Sequence, residues 1–214
     1  MKIDLHTHTR HSRDSVNSPG SVVRAAKRKG LDGVAITDHN SVGGWKEARE
    51  ASRKHKFPVI LGEEVKVLGG GEILGLFLSK GIRSRDPQEV IDEIKAQGGI
   101  AVVAHPFDGG RGFKDLENIA GLVHGLEVIN SRVYRAGSNL KALRASAHYG
   151  LARTGGSDAH AGFEIGRACT VANANTLEGF RRALLKKQTW AVGKKSSVLV
   201  HGASILARVR KLGK

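Results

Sequence analysis

The chain's 214 residues and 40% apolar content suit a single globular domain with a sizeable core, and no run of about 18 apolar residues exists to span a membrane. A net charge of +15, from 35 Lys and Arg against 20 Asp and Glu, favours phosphate-bearing partners. The lone cysteine, Cys169, excludes an internal disulfide and suits a reducing cytoplasm, and with no basic-then-apolar leader at the opening Met no secretory signal is expected.

Ile3 and Leu5 alternate with Asp4, His6 and His8, the period of a short strand, so His6 and His8 face one way where that strand runs out. Ser18-Pro19 reads as an N-cap with proline at the first helical position; the helix carries Val22, Val23, Ala25 and Ala26 on one side and stops at Gly30. Residues 34–37 are an apolar run of the kind buried in parallel sheets, ending in Asp38-His39-Asn40. A polar helix over 44–55 precedes a strand over 58–61 that leads into Gly62-Glu63-Glu64. Residues 65–68 and 73–78 flank Gly69-Gly70-Gly71 as a hairpin. Asp86-Pro87-Gln88-Glu89 starts another helix, with Val90, Ile91 and Ile94 buried. Strands over 100–104 and 125–129 stop at His105-Pro106 and Asn130-Ser131-Arg132, with a weak helical segment over 114–121 between them. Leu140, Leu143 and Ala147 mark a helix closing at Gly150, and residues 152–156 lead to Ser157-Asp158-Ala159-His160. Thr176 caps a helix with Leu177, Phe180 and Leu184 inward. From Val198 the tail is expected to form a strand and a basic helix with Ile205, Leu206, Val209 and Leu212 on one side.

Strand alternates with helix throughout, the pattern of a parallel sheet with helices packed outside it. No GxGxxG follows a strand, which argues against a dinucleotide fold. His6, His8, His39, Glu64, His105, Glu127, Asp158 and His160 all fall at the C-terminal ends of successive expected strands. In a closed parallel barrel those ends converge on one mouth. A cluster of nitrogen and oxygen ligands without cysteine suits zinc, manganese or iron.

His6-Thr7-His8-Thr9, Thr37-Asp38-His39-Asn40, Gly62-Glu63-Glu64, Ala104-His105-Pro106 and Ser157-Asp158-Ala159-His160, in that order, resemble the motifs of the PHP (polymerase and histidinol phosphatase) family. The resemblance runs from residue 2 to about 195 and implies a distorted (β/α)7 barrel, TIM-barrel-like, with parallel strands and outer helices. The domain would span 1–195, followed by a basic extension over 196–214. The resemblance also implies two or three divalent metal ions. His6, His8, Glu64 and Asp158 would hold the first. Glu64 would bridge to a second, bound also by His105 and by Glu127 or Asn130. Asp14, His39 and His160 would hold the third. Glu63 is the alternative to Glu64. His11, His55, His124, His148 and His201 match no motif and read as surface or structural.

Two neighbouring cations lower the pKa of a shared water and hold a phosphate in line, so a bridging hydroxide would attack with no serine or cysteine nucleophile. Asp158 or His160 would handle the proton. Arg132 and Arg135, just past the sixth strand, are placed to bind the phosphate. The expected function is hydrolysis of a phosphomonoester on a nucleotide or at the 5′ region of an oligonucleotide. From Arg181 to Lys214 the chain has ten Lys and Arg and no acid, a region suited to non-specific nucleic-acid binding, and no membrane partner is expected. The alternatives are a histidinol-phosphate-type metabolite phosphatase and a non-catalytic, metal-stabilised nucleic-acid-binding protein.

Overall fold

The computed structural model describes residues 1–135 and 137–196, so the strand and basic helix expected from Val198 onward lie outside the described residues. Fifteen elements follow in order: β1 Lys2–Asp4, α1 Pro19–Arg28, β2 Gly33–Ile36, α2 Trp45–His55, β3 Val59–Lys66, β4 Glu72–Leu76, α3 Pro87–Ala96, β5 Ile100–Val103, α4 Glu117–Ala120, β6 Gly125–Asn130, α5 Ser138–His148, β7 Ala152–Gly156, β8 Ala168–Ala172, α6 Leu177–Leu185 and β9 Thr189–Gly193. The strands form one sheet in the order β7-β6-β5-β4-β3-β2-β1-β8-β9, curled into a nearly closed barrel with helices outside.

The helix starts follow from local chemistry. The Ser18 hydroxyl accepts from Ser21 N at 3.1 Å, with Pro19 in the first turn where a missing N–H costs nothing. Asp86 accepts from Gln88 N and Glu89 N, and Thr176 from Gly179 N. Helix α5 forms where expected, but with the opposite face inward. It buries Ser138, Ala142 and Ser146 against the sheet, leaving Leu140 50% and Leu143 39% exposed. Small side chains at i, i+4 and i+8 let the helix approach β6 closely, which a leucine face would prevent.

The barrel departs from an all-parallel plan in two places. β4 runs antiparallel to both β3 and β5, because the Gly69-Gly70-Gly71 turn is too short for a crossover helix. β8 runs antiparallel to β1, and β9 antiparallel to β8. Neither β8 nor β9 is expected from the sequence: Ala168-Cys169-Thr170-Val171-Ala172 is short, buried and without alternation. The remaining strands β1, β2, β3, β5, β6 and β7 share one direction, so their C-terminal ends lie at one mouth.

Closure happens at two seams. Past the ends of β1 and β7, Asp158 N donates to His6 O at 2.8 Å and His8 N to Ala159 O at 2.9 Å. Against β8, Gly155 N donates to the Thr170 hydroxyl, which in turn donates to Gly155 O. Ile3, Leu5, Ala35, Ile60, Leu74, Leu76, Ile100 and Val102 join one buried cluster with Phe180 and Leu184 of α6. Arg181 of the same helix bonds Gly98 O just before β5 begins, so α6 covers the end opposite the mouth.

Candidate metal centre

Six strand ends deliver imidazoles and carboxylates to one buried cluster. Glu64 on β3 is at its middle: Oε1 lies 3.2 Å from both His6 Nε2 and His105 Nε2, while Oε2 lies 2.8 Å from His39 Nδ1 and 3.4 Å from His8 Nε2. Asp158 Oδ1 is 3.2 Å from His8 Nε2 and 3.6 Å from His6 Nε2. Asp14 stands 3.2 Å from His160 Nε2 and 3.7 Å from His39 Nε2. Glu63, one residue away, points elsewhere: its Oε2 accepts from Ile82 N at 3.0 Å. The period of two along a strand makes that separation complete.

The backbone bends sharply where the ligand-type side chains leave their strands. His105 and Asp158 hold φ of 26° and 53°, and Asn40 beside His39 holds 48°. Non-glycine residues adopt that region at a cost of about 1–3 kcal/mol each, and such strain gathers at functional sites.

Behind the cluster, hydrogen bonds fix the rings. His6 Nδ1 lies 3.1 Å from Glu127 Oε1, and Glu127 Oε2 accepts from His105 N at 3.0 Å and Asn130 Nδ2 at 2.9 Å. Glu127 therefore has both oxygens engaged behind His6, and Asn130 is its donor. His8 Nδ1 meets the Ser12 hydroxyl at 3.2 Å, and that hydroxyl donates to Asp38 Oδ1 at 2.6 Å. Both arrangements put a proton on Nδ1 and turn Nε2 toward the cluster. His160 Nδ1 is fixed likewise, 2.8 Å from Asp158 O.

The electrostatics are those of a site built around positive charge. Burial pushes the Glu64 and Asp158 carboxyls up, but His6 and His39 around Glu64, and Arg111 and His6 beside Asp158, hold both well below the usual range. Burial opposes charge on His6 too, yet Glu64, Glu127 and Asp158 raise it well above the usual imidazole value. His8 is driven the other way, first by burial and then by His39 and His160.

Two residues of the site escape the sequence reading. Glu72 opens β4 and, because that strand runs backward, enters from the same mouth, with Oε2 3.4 Å from His105 Nε2 and Oε1 3.8 Å from His39 Nδ1. The hairpin's glycine turn is the available signal for it. Arg111, in the loop after His105, sets Nη1 2.9 Å from Asp158 Oδ2 and Nη2 2.9 Å from Asp108 Oδ2. The two arginines expected at the phosphate are placed differently. Arg132 is 4% exposed with Nε 3.3 Å from Glu164 Oε1, and Arg135 is exposed beside Gly109. Of the unmatched histidines, His124 accepts from Ala101 N, a structural role, and His11 packs on Gly43 and Gly44.

The donor set fits divalent cations. Among the described residues, four groups each offer three ligand atoms within 4.8 Å of one another: His6, His8 and Asp158; His6, Glu64 and His105; His39, Glu64 and Glu72; His8, His39 and His160. Glu72 Oε2 and Asp158 Oδ1 are buried yet accept no well-aligned hydrogen bond, the state of an oxygen shaped for another partner. The pattern that defines the PHP domain matches residues 4–143, and the PHP-associated pattern matches 136–189.

The chain belongs to the PHP domain family.

Two Methanocaldococcus jannaschii proteins of uncharacterised role are similar to this PHP chain. One is 40% identical over 118 residues, covering 50% of the chain and 68% of the relative; the other is 37% identical over 176 residues, covering 78% and 69%. A stretch of 71 residues, 33% of the chain, is 39% identical to the PolC-type DNA polymerase III of Oceanobacillus iheyensis and makes up 5% of that polymerase. The solved structure of a two-domain Bacteroides vulgatus protein, containing a predicted PHP-like metal-dependent phosphoesterase, matches with a TM-score of 0.78 at 25% identity. That match covers 91% of this PHP chain and 65% of the Bacteroides protein.

The Glu127 contacts give a direct test of its place behind His6. In Glu127→Gln the amide satisfies either His6 or the His105 and Asn130 donors, and its NH2 opposes the other side. Metal affinity is expected to fall about 10- to 100-fold with the fold intact, the usual effect of losing a partner behind a ligand. Metal titration alongside a thermal melt of the metal-free protein checks this.

Proposed function

We propose that the protein is a metal-dependent phosphoesterase that hydrolyses a phosphomonoester, on a nucleotide or at the 5′ region of an oligonucleotide. The Glu64 carboxylate supports this most directly: its two oxygens face different sets of histidines, the arrangement of a carboxylate shared between neighbouring cations. His6, His8 and Asp158 would hold one ion, with Glu64 shared to a second near His105 and Glu72; His39, His160 and Asp14 would serve a third. Bound divalent ions supply an acidified water and a Lewis acid for the phosphoryl oxygens.

The chain's own residues do the rest. Glu127 and the Ser12–Asp38 pair hold Nδ1 of His6 and His8, so that Nε2 of both rings is aimed inward. The proton on His160 Nδ1 is held by Asp158 O, so His160 Nε2 is the atom with a lone pair to offer. Asp158, held ionised beside Arg111, is better suited to binding than to proton transfer. The nucleic-acid part of the reading rests on the +15 charge and on the likeness to a polymerase segment.

The test is metal analysis of the purified protein together with a phosphatase screen in added manganese. The panel includes a mononucleotide, a 3′,5′-bisphosphonucleotide, a 5′-phosphorylated oligonucleotide and histidinol phosphate. The reading expects more than one ion per chain and turnover that prefers the oligonucleotide and weakens with salt. Fewer than two ions and no turnover on any compound removes it, and a preference for histidinol phosphate replaces the substrate class.

A further inference from the structure

The loop from Phe107 to Gly112 follows His105 directly and carries one cation into the mouth. Arg111 is locked there. Its Nε and Nη2 lie 3.1 and 2.9 Å from Asp108 Oδ2, and its Nη1 lies 2.9 Å from Asp158 Oδ2. Asp108 is 3% exposed and is itself immobilised: its N donates to His105 O, its carbonyl accepts from Gly112 N, and its Oδ1 accepts from Tyr134 N. Despite these bonds the Arg111 side chain keeps 30% of its surface open to solvent. A guanidinium has five N–H donors in a rigid plane, and the contacts with the two aspartates use only part of them.

Three features give this arginine a task beyond steadying Asp158. The fork is oriented in advance by Asp108, which lowers the ordering cost of binding an anion. It lies one carboxylate away from the cluster, with Nη1 on Asp158 Oδ2 while Asp158 Oδ1 faces His8 and His6. Asp14, Glu64 and Asp158, all held ionised, offset part of the charge that ions would bring to the cluster, so a phosphate dianion arriving there gains from positive charge on the protein. Arg132 is less able to meet that need, being buried against Glu164.

We infer that Arg111, held by Asp108, is the side chain that binds the non-transferred oxygens of the substrate phosphate. The inference rests on the phosphoesterase reading and assigns its phosphate contact to a residue in the β5–α4 loop. Asp108 is then a positioning residue, acting through the arginine.

The experiment measures binding of inorganic phosphate to the manganese-loaded protein by calorimetry, with manganese content determined for each sample. Arg111→Ala is expected to bind phosphate about 10- to 100-fold more weakly at unchanged manganese content, the range for losing charge-assisted hydrogen bonds. Arg111→Lys keeps the charge but not the plane, and is expected to remain at least about fivefold weaker than wild type. Phosphate affinity equal to wild type in Arg111→Ala, or a loss that merely tracks lost manganese, overturns the assignment. Full recovery in Arg111→Lys overturns the part given to the guanidinium plane. A wild-type protein that holds no metal and hydrolyses no phosphomonoester overturns the phosphoesterase reading itself, an outcome separate from either result on Arg111.

Discussion

Exchanging Glu64 for alanine is expected to remove more than one ion from the protein and to lower phosphomonoester turnover at least about 1,000-fold, equivalent to about 4 kcal/mol of transition-state stabilisation. The expectation follows from the position of a single carboxylate among four imidazoles, those of His6, His8, His39 and His105. Two of the four groups of ligand atoms contain Glu64 and would each lose a member. Glu63→Ala is the matched comparison. It has the same charge and is next in sequence, but its carboxylate holds Ile82 N on the other face of the strand. Its metal content and turnover should stay near wild type. Equal metal content and activity in Glu64→Ala would disprove the central role given to this residue.

The second large effect is at a glycine. A Cβ added to Gly156 would lie 2.3 Å from His6 Cβ and 2.6 Å from Glu127 Oε1. Neither neighbour has room to retreat, since His6 is fixed by the β1–β7 seam and Glu127 by three donors. Gly156→Ala is expected to cost about 3 kcal/mol by overpacking, a fall in Tm of roughly 6–12 °C for a domain of this size. It should also displace His6 and weaken metal binding by the two groups of ligand atoms that include it. Gly121→Ala controls for the loss of a glycine as such. Nothing lies within 4 Å of the added methyl and the backbone is already right-handed, so its Tm should hold or rise slightly. A melt of the metal-free proteins with metal titration separates the two effects, and unchanged stability in Gly156→Ala would disprove the packing argument.

What the sequence made legible follows one physical rule. Parallel strands end at one mouth, so His6, His8, His39, Glu64, His105, Asp158 and His160 could be grouped by position alone, and the structure brings them together. Glu127 was legible as a residue of the same mouth, but not its place behind His6. That place depends on which donors meet its two oxygens, and no spacing reports that. Glu72 was hidden by direction: on an antiparallel strand the mouth-facing residue is the first, not the last. Arg111 was hidden because glycine-rich loops have no periodicity from which to read an orientation. The α5 leucines misled for a different reason. Apolar spacing marks the buried face only when a helix packs by bulk, and α5 packs by close approach.

The seam between the first strand and the seventh also bears on how the protein is made. His6, His8, Asp14, His39 and Glu64 leave the ribosome close together, while Asp158 and His160 emerge about a hundred residues after Glu64. For that interval the nascent chain has only part of the donor set, with β1 lacking its closing partner. Ions held by the full set would be selected only after the two ends of the barrel meet, which would place metal choice late in folding.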